Sequence, residues 1–230
     1  MRALCAVFAG ALLVLPANAA RAPVVVIDPG HDLRANPATE PIGPGSSIRK
    51  IKDGGGTHGV VSGLEAELNL RVAARLRTLL ERAGVRVVMT RTETLGTSIG
   101  NVARARIANR AGAALFLRIH ADGSTDPSAR GTHTIYPALR RGWTDDVYAS
   151  SKRAARTVQS ELVRALGFPD RGLQERSDFT GLNWADVPVI LVEMGFMTSS
   201  IDDRLLAMPS YQWRAAVGLC RGALRCLGRA

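Results

Sequence analysis

The stretch APVVVIDPGHDLRANP, residues 22–37, gathers Val24, Val25, Val26 and Ile27 into one apolar run. Asp28, Pro29 and Gly30 break the run, and His31 follows. A short continuous apolar run closed by a Pro-Gly turn reads as a strand buried on both faces. Such a strand belongs in a sheet covered by helices, and this one delivers a histidine just past its carboxyl end. Taken alone, His31 is an ordinary loop residue; a chemical role requires partners elsewhere in the chain.

Outward from that strand, strand-like runs alternate with helical patterns. In EAELNLRVAARLRTLLERAG the residues Leu68, Val72, Leu76, Leu79 and Leu80 recur at helical spacing, and Gly84 occupies a C-cap position. VRVVMTR, ALFLRIHAD, GTHTIYP and VPVILVEMG read as strands, whereas IGNVARARIANRAGA, VYASSKRAARTVQSELVRALG and SYQWRAAVGLCRGALRCL read as helices. This order predicts a single α/β domain with a mostly parallel or mixed central sheet and helices on both faces. Ligand sites in such sheets lie beyond the carboxyl ends of the strands. His31 follows the first strand, His120 ends ALFLRIH and Glu193 ends VPVILVE, so three reactive side chains are expected at one sheet edge.

The chain has 230 residues, 46% of them hydrophobic, enough for one full-sized domain. Residues 1–19 read as a signal peptide: Arg2, an apolar run, then the small-x-small pattern Ala17-Asn18-Ala19. The mature domain is then 20–230, exported to the periplasm or secreted, with no stable membrane insertion after signal cleavage. Cys5 leaves with the leader, and Cys220 and Cys226, six apart on a helix, are expected as free, half-buried thiols. Thirty Lys and Arg against twenty Asp and Glu give a net charge of +10, which suits an anionic partner. Aromatics are only 5% and no DNA-binding motif occurs, so nucleic acid is not expected and a wall polymer is.

Glu65 opens the helix after the long polar stretch. Alone it answers the helix dipole; beside His31 and His120 it completes a His-Glu-His set, an arrangement that holds catalytic zinc with one open position. Glu193 is the acid outside that set, and a carboxylate ending so apolar a strand is costly unless it is used.

The blocks VVVIDPGH, EAELNL, RARIAN, LFLRIHAD and VPVILVEMGFMTS, in this order, resemble the zinc-dependent N-acetylmuramoyl-L-alanine amidases of the amidase-3 type, as small single-domain secreted members. The resemblance covers essentially the whole mature chain. It implies one Zn2+ on His31, Glu65 and His120, with Glu193 as the catalytic glutamate. Glu65, four residues before Asn69-Leu70, fits the family's block better than Glu67. The implied reaction hydrolyses the amide between N-acetylmuramic acid and L-alanine of the stem peptide. The implied partners are peptidoglycan and muropeptides, with room for an activator protein that the sequence does not identify. Two rivals stand beside this reading: a zinc carboxypeptidase or endopeptidase acting within the stem peptide, and a non-catalytic wall-binding protein on the same scaffold.

Arg118 departs from the family, which carries a small serine before Ile-His. Alternation places it on the face of His120, where it binds a substrate carboxylate or covers the sheet edge with its stem. Arg176 and Asn183 lie where the family approaches substrate and are further substrate-binding candidates; the alternative is a surface loop with Trp184 packed on the sheet. Residues 32–64 read as a long loop that shapes a groove, and part of Ile42 to Gly56 is expected to be removable without unfolding the core. His58 is expected to be solvated, His133 structural or exposed, and Arg104 and Asn109 structural on the surface of their helix.

Overall fold

The structure, a computed structural model, describes residues 22–229 apart from 95 and 97. The expected signal segment lies outside the described residues. In chain order the elements are β1 (Val24–Pro29), β2 (Asn36–Pro41), β3 (Arg49–Asp53), β4 (His58–Gly59), β5 (Gly63–Leu64) and α1 (Glu65–Arg82). Then come β6 (Arg86–Met89), α2 (Asn101–Ala111), β7 (Leu115–Asp122), β8 (Thr132–Pro137) and α3 (Tyr148–Leu166). The last are β9 (Asp170–Arg176), α4 (Thr180–Asn183), β10 (Val189–Phe196), α5 (Ser200–Ala207) and α6 (Pro209–Cys226).

Six strands form one mixed sheet in the order β6-β1-β7-β10-β8-β9. The first four run parallel; β8 joins β10 antiparallel and β9 follows β8 in parallel. Period-two alternation divides the sheet into two faces. Val25, Ile27, Leu117, Ile119, Ile190 and Val192 pack with the apolar faces of α1, α3 and α6. Val24, Val26, Phe116, Val189 and Leu191 pack on the opposite side with Ala105 and Ala108 of α2 and Leu182 of α4. Asp28, Arg118, His120 and Glu193 continue that second set, so the α2 side carries the chemistry. No helix among the described residues is long and apolar enough to cross a membrane.

Three regions differ from the sequence reading. The stretch 32–64 holds the antiparallel hairpin β2–β3 and the short pair β4–β5. Its alternation is hidden because only Glu40 and Asp53 of the hairpin strands are buried. It is also tied to the domain: Asn183 Nδ2 donates to Ile42 O at 2.9 Å and Trp184 Nε1 to Pro41 O at 2.9 Å. The stretch DRGLQER forms β9, an edge strand whose charges mask its pairing. Arg104 is 2% exposed, not a surface residue. Cys220 and Cys226 are free thiols, the first buried and the second exposed.

Arg104 explains how β1 ends. Its Nη1 meets Asp28 Oδ1 at 2.6 Å, and Arg118 Nε meets Asp28 Oδ2 at 2.8 Å, all three groups being buried. Burial opposes the Asp28 charge, but the two guanidinium groups outweigh it and hold the carboxyl far below the usual range. Arg104 also donates to Pro29 O at 2.9 Å and His31 O at 3.0 Å. Arg91 donates to Pro29 O at 3.0 Å and Gly30 O at 3.0 Å. Three successive carbonyls of the Pro-Gly-His turn are therefore fixed by two buried arginines.

Removing one partner of a buried ion pair costs about 3–5 kcal/mol, because the remaining charge is left uncompensated. Asp28→Asn should therefore lower the melting temperature by roughly 6–20 °C, taking about 2–4 °C per kcal/mol at this chain length. A thermal melt of the variant within 2 °C of the parent protein would show that the arginines find other partners.

Candidate metal centre and active site

The Pro-Gly-His turn presents His31 with φ 59°, the one described non-glycine residue at positive φ. Such strain persists only where the surroundings over-determine it; here Arg91 and Arg104 do so from the backbone side. From the hairpin, Asp53 accepts a hydrogen bond from His31 Nδ1 at 2.6 Å. That bond holds the Asp53 carboxyl at about 2 against the opposing effect of burial. It fixes the ring so that Nε2 faces Glu65 Oε1 at 3.4 Å.

Glu65 is 3% exposed and every contact it makes restricts it. Oε2 accepts from Thr57 N at 2.8 Å, and Oε1 accepts from Asn69 Nδ2 and Ala121 N, both at 3.2 Å. Asn69 stands one helical turn further along α1, which gives the spacing between the two residues a physical reason. Burial would raise the Glu65 pKa, but His31 and His120 bring it down to about 2. Glu67 is exposed and faces Arg71 at 3.7 Å, away from the cluster.

His120 comes from β7, with Nδ1 3.0 Å from Glu65 Oε1. Its ring stands edge-on to that of His31, centroids 4.8 Å apart at 84°. Gly30 lies flat against it: a Cβ there would sit 2.1 Å from Cε1 of the imidazole. The glycine of Pro-Gly-His is thus required by close approach. Gly56 does the same from the other side, where a Cβ would lie 2.9 Å from Glu65 Oε2 and 3.0 Å from His31.

His31, Glu65 and His120 each offer one ligand atom, all within 4.8 Å of one another. Ligand bonds of 2.0–2.1 Å in a tetrahedron put neighbouring donors about 3.3 Å apart. The 3.4 and 3.0 Å separations to Glu65 Oε1 match that spacing. Two imidazoles and one carboxylate are a donor set suited to zinc; Asp53 holds His31, and Thr57, Asn69 and Ala121 hold Glu65, whereas His120 Nε2 is buried without a hydrogen-bond partner among the described residues.

Glu193 pairs in register with His120 on one side and His133 on the other. It is 7% exposed, and its Oε2 has no hydrogen-bond partner among the described residues. Burial, followed by repulsion from Glu65 and Asp122, pushes its pKa well above the ordinary carboxylate value. The four residues line a cleft of about 410 Å³, with Asp53, Thr57 and Asp122 on its walls.

The other sequence candidates are occupied. Arg118 lines the cleft but gives Nε to Asp28 and Nη2 to Asn101 Oδ1 at 2.7 Å. Arg176 clasps Asp178 through two hydrogen bonds of 2.8 Å and rests on the Phe179 ring at 4.8 Å. Asn183 is fully buried, donating to Ile42 O and Ser177 O, both at 2.9 Å. His58 is exposed on β4, whereas His133 is buried against Phe196, burial bringing its pKa down to about 4. Asp53 and Asp122 escaped the sequence reading. The Asp-Gly-Gly-Gly run at 53–56 is the signal for the first, a carboxylate followed by backbone free to pass close over the cluster.

A family model described as N-acetylmuramoyl-L-alanine amidase, Amidase_3, matches residues 25–225. The amidase Rv3717 of Mycobacterium tuberculosis is 33% identical over 220 residues, spanning 90% of this chain and 87% of that protein. LytC of Bacillus subtilis, also an N-acetylmuramoyl-L-alanine amidase, is 32% identical over 161 residues; the match spans 70% of this chain but only 31% of LytC. The crystal structure of the N-acetylmuramyl-L-alanine amidase Ami1 from Mycobacterium smegmatis superposes with a TM-score of 0.82 at 29% identity, covering 91% of this chain and 99% of that one. The family match runs from the first strand to the last helix, and the chain belongs to the amidase-3 family of N-acetylmuramoyl-L-alanine amidases.

Proposed function

We propose that this chain is a zinc-dependent peptidoglycan hydrolase that cleaves the amide between N-acetylmuramic acid and L-alanine of the stem peptide. The observation that carries the reading is the convergence of His31 Nε2, Glu65 Oε1 and His120 Nδ1 beneath a cleft that also receives Glu193. When bound there, zinc supplies a Lewis acid that polarises the scissile carbonyl and makes a nearby water nucleophilic near neutral pH.

The chain's own residues do the rest. Asp53 keeps His31 Nδ1 protonated and its Nε2 free to ligate. Thr57, Asn69 and Ala121 hold Glu65 as an anion aimed at both rings. Glu193 takes a proton from the attacking water and returns it to the leaving amine; it is buried beside the cluster with Oε2 free of any hydrogen-bond partner among the described residues. Family membership and the presence of all four residues support an active enzyme over a non-catalytic wall-binding protein. A carboxypeptidase would need a cation for the terminal carboxylate, and the pairing of Arg118 and Arg176 with Asp28 and Asp178 counts against that rival. We further propose export with removal of residues 1–19, a mature domain of 20–230, and peptidoglycan as the partner. Regulation by an activator protein is part of this reading only as a test: purified enzyme inactive on sacculi until wall extract is added.

The purified mature protein should carry close to one zinc per chain and lose activity to chelator. His120→Ala removes a ligand and should abolish tight binding; full zinc occupancy in that variant, read by elemental analysis, would discard the ligand set. Glu193→Gln keeps volume and hydrogen-bonding reach while removing the base. Turnover of sacculi, followed by mass spectrometry of the released peptides, should fall about 10²–10⁴-fold with zinc content unchanged. Loss of zinc would make Glu193 a ligand, and near-native activity would leave it without a chemical role.

A further inference from the structure

A second cavity, of about 620 Å³, lies between the β2–β3 hairpin and the outer face of α2. Its α2 wall comes from Val102, Arg106 and Arg110, spaced four apart and therefore aligned on one side of the helix. The opposite side of the same helix buries Arg104 and Ala108 against the sheet. Lys52 of β3 lines both this cavity and the catalytic cleft, so the two are neighbours on either side of that residue.

The cavity carries unneutralised positive charge on an apolar floor. Among the described residues, Lys52, Arg106 and Arg110 form no ion pair. Glu40, the carboxylate in the lining, is occupied: its oxygens accept the Asn101 and Val102 amides at 2.7 and 3.2 Å and cap α2. Arg106 is also pre-positioned. Its guanidinium lies over the Trp184 ring at 5.6 Å, and that ring is anchored by Nε1 to Pro41 O. A guanidinium set on a fixed aromatic face loses little freedom when it meets an anion. An arginine one turn further along and a lysine across the gap supply the additional charge.

We infer that this cavity is an anion-binding subsite, next to the catalytic cleft, that holds an anionic group of the wall polymer through Arg106 and Arg110 while the cleft acts on the amide. The inference rests on the amidase reading for its ligand. The shared chemistry is a carboxylate or phosphodiester on a polymer, supplied by a neighbouring stem peptide or by a phosphate polymer attached to the wall. The subsite adds affinity for the extended polymer and takes no part in bond cleavage.

The test compares the mature zinc-loaded protein with Arg106→Gln/Arg110→Gln. Retention on intact sacculi is read by brief sedimentation at 4 °C over a range of salt, and turnover on a soluble disaccharide-peptide fragment. Retention of the double variant should fall about tenfold at low salt, the difference closing as salt screens the contacts, with fragment turnover and zinc content at the parent level. Arg106→Lys/Arg110→Lys, which keeps both charges, should recover most of the retention and so separates charge from folding. Sacculi stripped of phosphate polymers by acid assign the source: a parent–variant difference that survives stripping marks a carboxylate, and one that vanishes marks a phosphodiester. Equal retention of parent and double variant on intact sacculi would overturn the subsite, as would a matching loss of fragment turnover in the variant. A parent protein that fails to cleave the fragment at all would instead overturn the amidase reading, and retention would still report on the subsite.

Discussion

The Asp28 carboxylate, buried between Arg104 and Arg118, is the constraint on which the site depends. Burying an ion pair is seldom a route to stability, since desolvation consumes most of the Coulombic gain. Its product here is position. The guanidinium that neutralises Asp28 also reaches two carbonyls of the turn, and Arg91 takes a third from the other side. A left-handed histidine backbone and a glycine pressed against an imidazole are both costly local choices, and this clamp is what makes them single-valued. The second anchor of His31 arrives from the hairpin, so the ring is defined by two independent parts of the chain.

The strands contribute the remaining groups through register alone. Pairing in parallel sets Glu193 beside His120, and the antiparallel neighbour brings His133 against its other flank. A one-residue slip of β10 would turn Glu193 toward α3 and α6 and leave the cleft without its free carboxylate. The burial of Ile190, Val192 and Met194 in the opposite core prevents that slip. Hydrophobic packing on one face of the sheet therefore holds catalytic geometry on the other.

Much of this was legible in the sequence, for identifiable reasons. The runs ending in His31, His120 and Glu193 are apolar apart from Asp28 and Arg118, so their strands and common edge follow from burial. Glu65 was readable through the family resemblance, whose block sets it four residues before Asn69; the hydrogen bond from Asn69 Nδ2 gives that spacing its physical reason. The hairpin was not readable, since its strands face solvent and carry almost no apolar alternation; its ordering comes from long-range hydrogen bonds such as Asn183 to Ile42. Arg104 was misjudged as a surface residue, and the pairing of Arg118 with Asp28 went unforeseen, for a related reason. A buried arginine looks like a surface one in sequence unless its carboxylate partner, 76 and 90 residues away here, is already known. Arg176 and Asn183 stand close to the site in sequence pattern, yet their donors are taken by Asp178 and by backbone carbonyls.

The bond between Asp53 and His31 joins two equilibria. Docking of the hairpin and the readiness of His31 to ligate share one interaction, so their free energies are linked and the linkage is reciprocal. Any ion that binds better when Asp53 is in place must, to the same degree, hold the hairpin down, by an amount that grows with the logarithm of its concentration. The hairpin also lines both cavities through Lys52, so whatever holds it down steadies the wall of each. Under the zinc reading proposed above, an ion held at His31 would stiffen the groove as well as supply the chemistry, in addition to the bonds from Asn183 and Trp184 that already dock the hairpin.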